Sequence, residues 1–348
     1  MLKVAILGGS GYAGSELLRL LLSHPDVKVT AVTSERSAGL PVSDVFQNFR
    51  NTDLKFESMK VESLVKKADL FFLCLPHKAS QEAVAFFYGA GKKVIDFSAD
   101  YRIKNRKIYE KWYSTPHSFA HLLKKAVYGL PELHRDRIKD CSLVANPGCY
   151  PTSSILGLAP IIGESFIDSG SVIIDSKSGT SGAGRNPAQQ LMFCEVNESI
   201  KAYSITMHRH TPEIEQELSF LSNRNIKLIF TPHLVPMDRG ILSTIYVRLS
   251  KKTSLQNIQK IYRNFYRKEP FVRVLNNGVY PATKHVRGSN FCDISVFLDK
   301  RAGNEHTLII VSAIDNLLKG ASGLAVQNMN IMYGFEETAG LTSSPPSP

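Results

Sequence analysis

KVAILGGSGYAGSELLRLLL, residues 3–22, sets an apolar run, three glycines and a leucine-rich stretch in immediate succession. Val4, Ala5, Ile6 and Leu7 read as a buried strand, and residues 15–22 as a helix. Between them Gly8, Gly11 and Gly14 follow the spacing GxxGxxG, with Ser10, Tyr12 and Ala13 in the turn. Glycine permits a tight turn and lets backbone approach a pyrophosphate, whose charge then sits at the N-terminus of the following helix. A plain strand-to-helix turn can carry the same glycines. The strand directly before them and the helix directly after them point to a bound dinucleotide.

The next strand, 28–33, ends in Ser34-Glu35-Arg36. An NAD enzyme places an acidic side chain here on the ribose hydroxyls, and Glu35 keeps that option open. Ser34 and Arg36 suit a ribose 2′-phosphate, which favours NADP. A helix over 61–67, a buried strand over 69–75, a helix over 79–88 and a strand over 93–97 continue the alternation. Strands alternating with helices give an α/β fold, a Rossmann-type doubly wound parallel sheet. Leu75 and Pro76 stand at the carboxyl end of their strand, where such sheets bind cofactors, and His77 follows them.

At 348 residues the chain is long for one core, so two domains are expected, the first over 1–148. Beyond it strands dominate, at 171–176, 228–230, 241–249, 271–275 and 291–298, with helices over 212–221 and 255–266. That pattern predicts an α+β second domain over 149–311 with a mixed or antiparallel sheet. The last strand, 308–311, and a helix over 316–332 are expected to return to the first domain, completing it with residues of about 312–334. The polar, proline-rich tail 337–348 reads as disordered.

Hydrophobic residues make up 43% and charged residues 21%, ordinary for a soluble globular enzyme. The net charge of +11, from 42 basic and 31 acidic residues, suits anionic small molecules and is spread along the chain. No nucleic-acid-binding motif accompanies it, so nucleic acid is not the expected partner. The five cysteines are odd in number, scattered and without metal-type spacing, which argues against a disulfide framework and a metal site. No apolar run approaches the ~20 residues of a membrane span, and the start is too short in apolar residues for a signal peptide. A reducing cytoplasm is the expected compartment.

The chemistry concentrates in VANPGCYPTSSILGLAP, residues 144–160. A strand end, a turn at Asn146-Pro147-Gly148 and an apolar helix put Cys149 in a first helical turn. There the free N–H groups and the dipole favour the thiolate of a cysteine that otherwise ionises near ~8.5. A small buried cysteine beside a turn would read similarly. SGTSGAGR, 178–185, is a small-residue loop after a strand. Its N–H groups can face a phosphate or a nicotinamide amide, which makes Ser178 and Gly179 cofactor candidates; a flexible connector is the alternative. In MHRHTPEIEQEL, 207–218, Thr211 suits an N-cap and Pro212 the first helical position. His208 suits a general acid/base partner for the thiolate, with Glu213 a carboxylate to orient it. Arg185, and behind it Arg102, Arg239 and Arg287, offer guanidinium forks for a carboxylate or phosphate.

NPGCYPT at 146–152, GGSGYAGSELLRLL at 8–21, DFSADYR at 96–102, SGTSGAGR and HRHTPEIEQEL together resemble the N-acetyl-gamma-glutamyl-phosphate reductases of the semialdehyde dehydrogenase superfamily. The resemblance runs through nearly the whole chain in order. It implies NADPH-dependent reduction of an acyl phosphate, N-acetyl-L-glutamyl 5-phosphate, to the semialdehyde in arginine biosynthesis. Cys149 would be the nucleophile, forming a thioester, and His208 the acid/base. Asn316 would join the NADP(H) contacts, and Asn146, Ser181, Arg185, His210 and Glu213 would bind substrate. A homo-oligomer, dimer or tetramer, in the cytoplasm is also implied. The motifs do not cleanly separate this activity from a relative acting on a carrier-protein-bound phosphate in lysine biosynthesis. Aspartate-semialdehyde dehydrogenase and a non-enzymatic NADP-sensing protein stay in view as other readings.

Overall fold

The computed structural model describes residues 1–299, 301 and 306–346. Two units emerge, Met1–Pro147 joined by Ala321–Ser343, and Gly148–Gly320 joined by the end of the chain.

In the first unit β1 (Leu2–Leu7), β2 (Val27–Thr33), β3 (Phe56–Glu57), β4 (Leu70–Leu73), β5 (Lys93–Asp96), β6 (Val127–Tyr128) and β7 (Leu143–Ala145) form one sheet in the order β3-β2-β1-β4-β5-β7-β6. Every pairing in it is parallel. β1 pairs with β2 on one side and β4 on the other, so the strand order reverses there. The turns leaving β1 and β4 therefore flank the crevice in which doubly wound sheets bind ligands. Helices α1 (Tyr12–Leu22), α2 (Ser80–Gly89), α3 (Arg106–Tyr113) and α4 (Pro131–Lys139) connect the strands. The central strands are apolar on both faces, and Val4 to Leu7 and Leu70 to Leu73 are fully buried. Phe71 of β4 stacks on Phe87 of α2 with ring centroids 3.9 Å apart.

The second unit carries α5 (Cys149–Leu158), α6 (Thr211–Ser222) and α7 (Leu255–Phe265). Its sheet is built from β8 (Ile173–Ser178), β9 (Lys201–Ala202), β10 (Ile229–Leu234), β11 (Ile241–Arg248), β12 (Val272–Val274), β13 (Cys292–Leu298) and β14 (Thr307–Ile314). Their order is β12-β13-β14-β11-β8-β10-β9. β8 with β10 and β12 with β13 are parallel, and the other pairings antiparallel, so this sheet is mixed as expected. α5 packs along β11 and β14. It lies close because Gly157 faces the sheet: a Cβ there would come within 2.7 Å of Ile245 Cδ1. Along β11, Ile241, Ser243, Ile245 and Val247 are buried while Tyr246 and Arg248 point outward. On that outer face Ile229, Ile173, Tyr246, Ile309 and Phe297 stand in register across five strands. Ile229 is 58% exposed.

Three boundaries differ from the sequence reading. The strand read over 308–311 spans Thr307–Ile314 in the middle of the second sheet, so the chain stays in the second unit to Gly320. The helix expected from 316 begins at Gly323, after a π-helical turn over Leu318–Ser322. That helix, Gly323–Tyr333, ends at Gly334 in the left-handed conformation. Residues 337–341, read as the start of a disordered tail, are anchored instead. Glu337 pairs with Arg135 at 3.1 Å, Asn330 Nδ2 donates to the Glu337 and Ala339 carbonyls, and Leu341 is buried. Among the described residues no helix is long and apolar enough to cross a membrane.

Removing one ring of the Phe71–Phe87 stack leaves a cavity between β4 and α2. Phe87→Ala should cost roughly 3–5 kcal/mol of stability, measured as a lowered urea midpoint.

Candidate active site

The glycine turn after β1 shows which of its glycines the fold itself requires. Gly8 has φ +81°, and a Cβ on it would lie 2.4 Å from the Cys74 carbonyl oxygen; one on Gly14 would lie 2.5 Å from the Gly8 oxygen. A Cβ on Gly11 would meet only the Gly8 oxygen, at 3.7 Å. The turn therefore packs against the Cys74 backbone at its first glycine and against itself at its third, and stays open at the second, a cradle suited to a pyrophosphate at the start of α1. Ser34 Oγ donates to Ser10 Oγ at 2.8 Å, joining the turns after β1 and β2. Glu35 Oε1 accepts the Met59 N–H at 2.8 Å, which engages its carboxylate within the protein, while Arg36 stays exposed. Leu75 and Pro76 follow β4, on the other side of the strand-order reversal.

In the second unit Cys149 is the first residue of α5, partly buried, after Gly148 in an extended conformation. Thr152 closes the turn, its N–H and hydroxyl both donating to the Gly148 carbonyl at 3.0 and 2.9 Å. The Gly148 N–H donates to Oε1 of Glu213 at 2.8 Å, and Glu213 is fully buried in the first turn of α6. Thr211 is the first residue of α6, and the N-cap position falls on His210, one residue earlier than the sequence suggested. Gly320 closes over the thiol-bearing residue: a Cβ there would sit 2.8 Å from Cys149 Cβ.

His208 lies in an aromatic cage. Its ring meets Tyr150, Tyr203 and Phe230 edge-on, with centroids 5.5, 5.5 and 5.2 Å away, and His210 at 4.9 Å. Nδ1 accepts the His210 N–H at 3.1 Å, so the neutral ring carries its proton on Nε2. Burial, and secondarily the Arg209 charge, push its pKa down to about 4. Tyr203 donates to the Tyr150 hydroxyl at 3.2 Å, which donates to the His233 carbonyl at 3.1 Å. Burial pushes Tyr203 up to about 12 despite its bond to Tyr150, and the Cys149 charge adds to the rise. The thiol and the two tyrosines thus share one electrostatic neighbourhood. Tyr150, Tyr203 and Gly320 escaped the sequence reading, because only the fold brings them to Cys149 and His208.

The small-residue loop is organised by Asn316. Its Oδ1 accepts the Gly240 N–H at 2.7 Å, and its Nδ2 donates to Ser181 Oγ at 2.9 Å. Ser178 is buried, and Gly179 abuts the Asp238 carbonyl so closely that a Cβ would lie 2.7 Å from it. Ser178, Gly179, Ser181 and Asn316 are thus brought together, with Arg185 exposed at the loop's end. Of the other arginines, Arg239 stands 3.6 Å from the buried Asp315 and exposed Arg287 pairs with Asp238 at 2.8 Å. Arg102, in the first unit, donates to the Asn146 and Phe97 carbonyls at 2.7 and 2.6 Å. Asn146, read as a substrate contact, is fully buried in the first unit: its Nδ2 donates to the Ala321 carbonyl and its Oδ1 accepts from Asn328. Its side chain ties the end of β7 to the C-terminal helix. Among the described residues no group of three His, Cys, Asp or Glu could hold a metal ion.

Residues 3–141 match the family described as semialdehyde dehydrogenase, NAD binding domain, and residues 149–316 the semialdehyde dehydrogenase dimerisation domain. An N-acetyl-gamma-glutamyl-phosphate reductase of Geobacter metallireducens is 56% identical over 347 residues, 99% of each chain. One from Geobacter sp. strain M21 is 56% identical over the full length of both chains. Among solved structures, aspartate semialdehyde dehydrogenase II of Vibrio cholerae superposes with a TM-score of 0.74 over 96% of this chain and 98% of that one, at 16% identity, which shows a shared fold. Full-length identity above one half, with both domain families in order, shows that this chain belongs to the N-acetyl-gamma-glutamyl-phosphate reductase family of semialdehyde dehydrogenases.

Proposed function

We propose that this chain reduces N-acetyl-L-glutamyl 5-phosphate to N-acetyl-L-glutamate 5-semialdehyde and phosphate, as a step of arginine biosynthesis, through a thioester on Cys149. The observation that carries the reading is the seat of Cys149 at the start of α5, beside the His208 cage. The thiolate attacks the acyl carbon, an S–C bond forms, the C–O bond to phosphate breaks, and phosphate leaves. NADPH, when bound, supplies the hydride that turns the thioester into an aldehyde-level adduct. Collapse of that adduct breaks the S–C bond and restores the thiolate, and the net proton ends on the phosphate. His208, neutral and protonated on Nε2, is a hydrogen-bond donor to negative charge at sulfur or oxygen rather than an imidazolium acid. Arg185 and Ser181 are the proposed substrate contacts, joined by His210, with Glu213 positioning the Cys149 turn. Engagement of Glu35 by Met59 and exposure of Arg36 support NADP(H) over NAD(H). Five cysteines outside any disulfide suit a reducing cytoplasm.

The chain acts as a homo-oligomer, and the reading places a second copy on the outer face of the second sheet. The row from Ile229 through Ile173 and Tyr246 is apolar, exposed and in register, as a self-complementary interface needs. Tyr246→Arg should weaken self-association by roughly 30-fold or more, the scale of an interface hot spot, and shift the mass measured by light scattering toward the monomer. An unchanged mass would place the interface elsewhere.

His208 sets a pH signature. Its folded-state pKa of about 4 lies below the ~6.5 of an unfolded histidine, so the unfolded chain takes up the proton first as pH falls. The stability it contributes is complete above about pH 6.5 and declines from there toward pH 4. His208→Ala should lower kcat by roughly 10²- to 10⁴-fold and remove its share of the stability decline between about pH 6.5 and pH 4. A stability difference between wild type and His208→Ala that does not change over that range would show that the ring titrates as it does in the unfolded chain.

The reaction type is tested in reverse. N-acetylglutamate semialdehyde with NADP⁺ should yield NADPH catalytically only with phosphate or arsenate, and without them at most one equivalent per site. Sustained phosphate-free turnover would identify a hydrolytic aldehyde dehydrogenase.

A further inference from the structure

Asp100 ties together the turns that follow β4 and β5 at the carboxyl edge of the first sheet. Both of its carboxylate oxygens accept the Lys78 N–H, at 2.9 and 3.0 Å. The carboxylate is fully buried, and Tyr109 donates to its Oδ1 at 2.6 Å. A second bond between the same segments runs from the Ala99 N–H to His77 Nδ1, 3.0 Å long. Lys78 has φ +77°, a left-handed conformation that glycine adopts freely and a lysine only at a cost. Its side chain is exposed, so the restraint on its backbone acts through the N–H that Asp100 holds. The turn so restrained begins with Leu75 and Pro76, beside the strand-order reversal.

We propose that Asp100 is a positioning residue for the cofactor: by holding Lys78 left-handed it fixes the turn from Leu75 to Lys78 in the form that receives the dinucleotide. This rests on the NADP(H) reading above. A carboxylate suits the task because it accepts one N–H through two oxygens and still takes the Tyr109 hydroxyl, whereas an amide in its place turns a donor toward one of these partners.

The test measures NADPH dissociation constants by nucleotide fluorescence, with kcat and KM alongside, on the full chain. Asp100→Asn and Lys78→Val should each weaken NADPH binding by about tenfold, the scale of one left-handed residue lost, with kcat within about twofold. Adding Lys78→Gly to Asp100→Asn should restore affinity to within about threefold of wild type, because glycine needs no tether at that φ. Lys78→Val leaves the buried carboxylate in place, so it tests the inference even where Asp100→Asn does not fold. Wild-type affinity in Lys78→Val, or an Asp100→Asn defect that Lys78→Gly does not relieve, overturns the positioning role. A wild-type protein that does not bind NADPH overturns the cofactor reading itself, and the positioning role with it.

Discussion

The bond from the Gly148 N–H to the buried carboxylate of Glu213 is the contact on which the Cys149 site depends. A carboxylate taken wholly out of water is costly unless hydrogen bonds replace its solvation, so Glu213 holds tightly to this donor. Its place in the first turn of α6 adds the favourable field of that helix's N-terminus. The residue after Gly148 is Cys149. A constraint on one backbone N–H thereby sets where the thiol enters α5, and Thr152 closes the same turn from the other side. Gly320 then lies against Cys149 with no room for a methyl group.

Around the thiol the protein has built a weakly polar enclosure. Partial burial among three aromatic rings keeps the imidazole of His208 neutral, and the His210 N–H selects which nitrogen carries the proton. Aromatic packing does here what a carboxylate partner does in many acid/base sites: it fixes the orientation of the ring. The His210 N–H at Nδ1 leaves Nε2 a donor, which suits stabilisation of the negative charge that moves between sulfur and oxygen during acyl transfer.

The first unit solves a different problem, the positioning of turns at the end of a parallel sheet. Gly8 and Gly14 are packed into neighbouring backbone, so the glycine turn has one shape. The turns after β4 and β5 lack such glycines and are stitched by side chains, with Asp100, His77 and Ser80 reaching across. Asp96, buried at the end of β5, takes bonds from Ser80 and Ser98 at 2.6 and 2.7 Å. Burial and the nearby Asp100 raise its pKa to about 6. Close packing of carboxylates here reflects how much the sheet's edge relies on polar ties in place of glycine.

Local pattern was enough for the parts whose physics is local. An apolar run, a glycine spacing and a helix start specify β1, the turn and α1 within some twenty residues, and the alternation that follows yields the parallel sheet of the first unit. The second sheet's mixed character was likewise legible from strands with few helices between them. What the tertiary structure alone decided involves partners far apart in the chain. Asn146 is consumed by Ala321 and Asn328, Glu35 by Met59, and Glu213 reaches Gly148. The strand Thr307–Ile314 joins the second sheet because β11 and β13 offer it pairing on both edges, which its own residues do not announce. Residues 337–341 are held by Arg135 and Asn330 although the composition of the tail reads as disordered. Periodicity and turn chemistry report what a segment can form; a buried polar group takes whichever donor or acceptor the folded chain brings to it, and that is set by the packing of the whole.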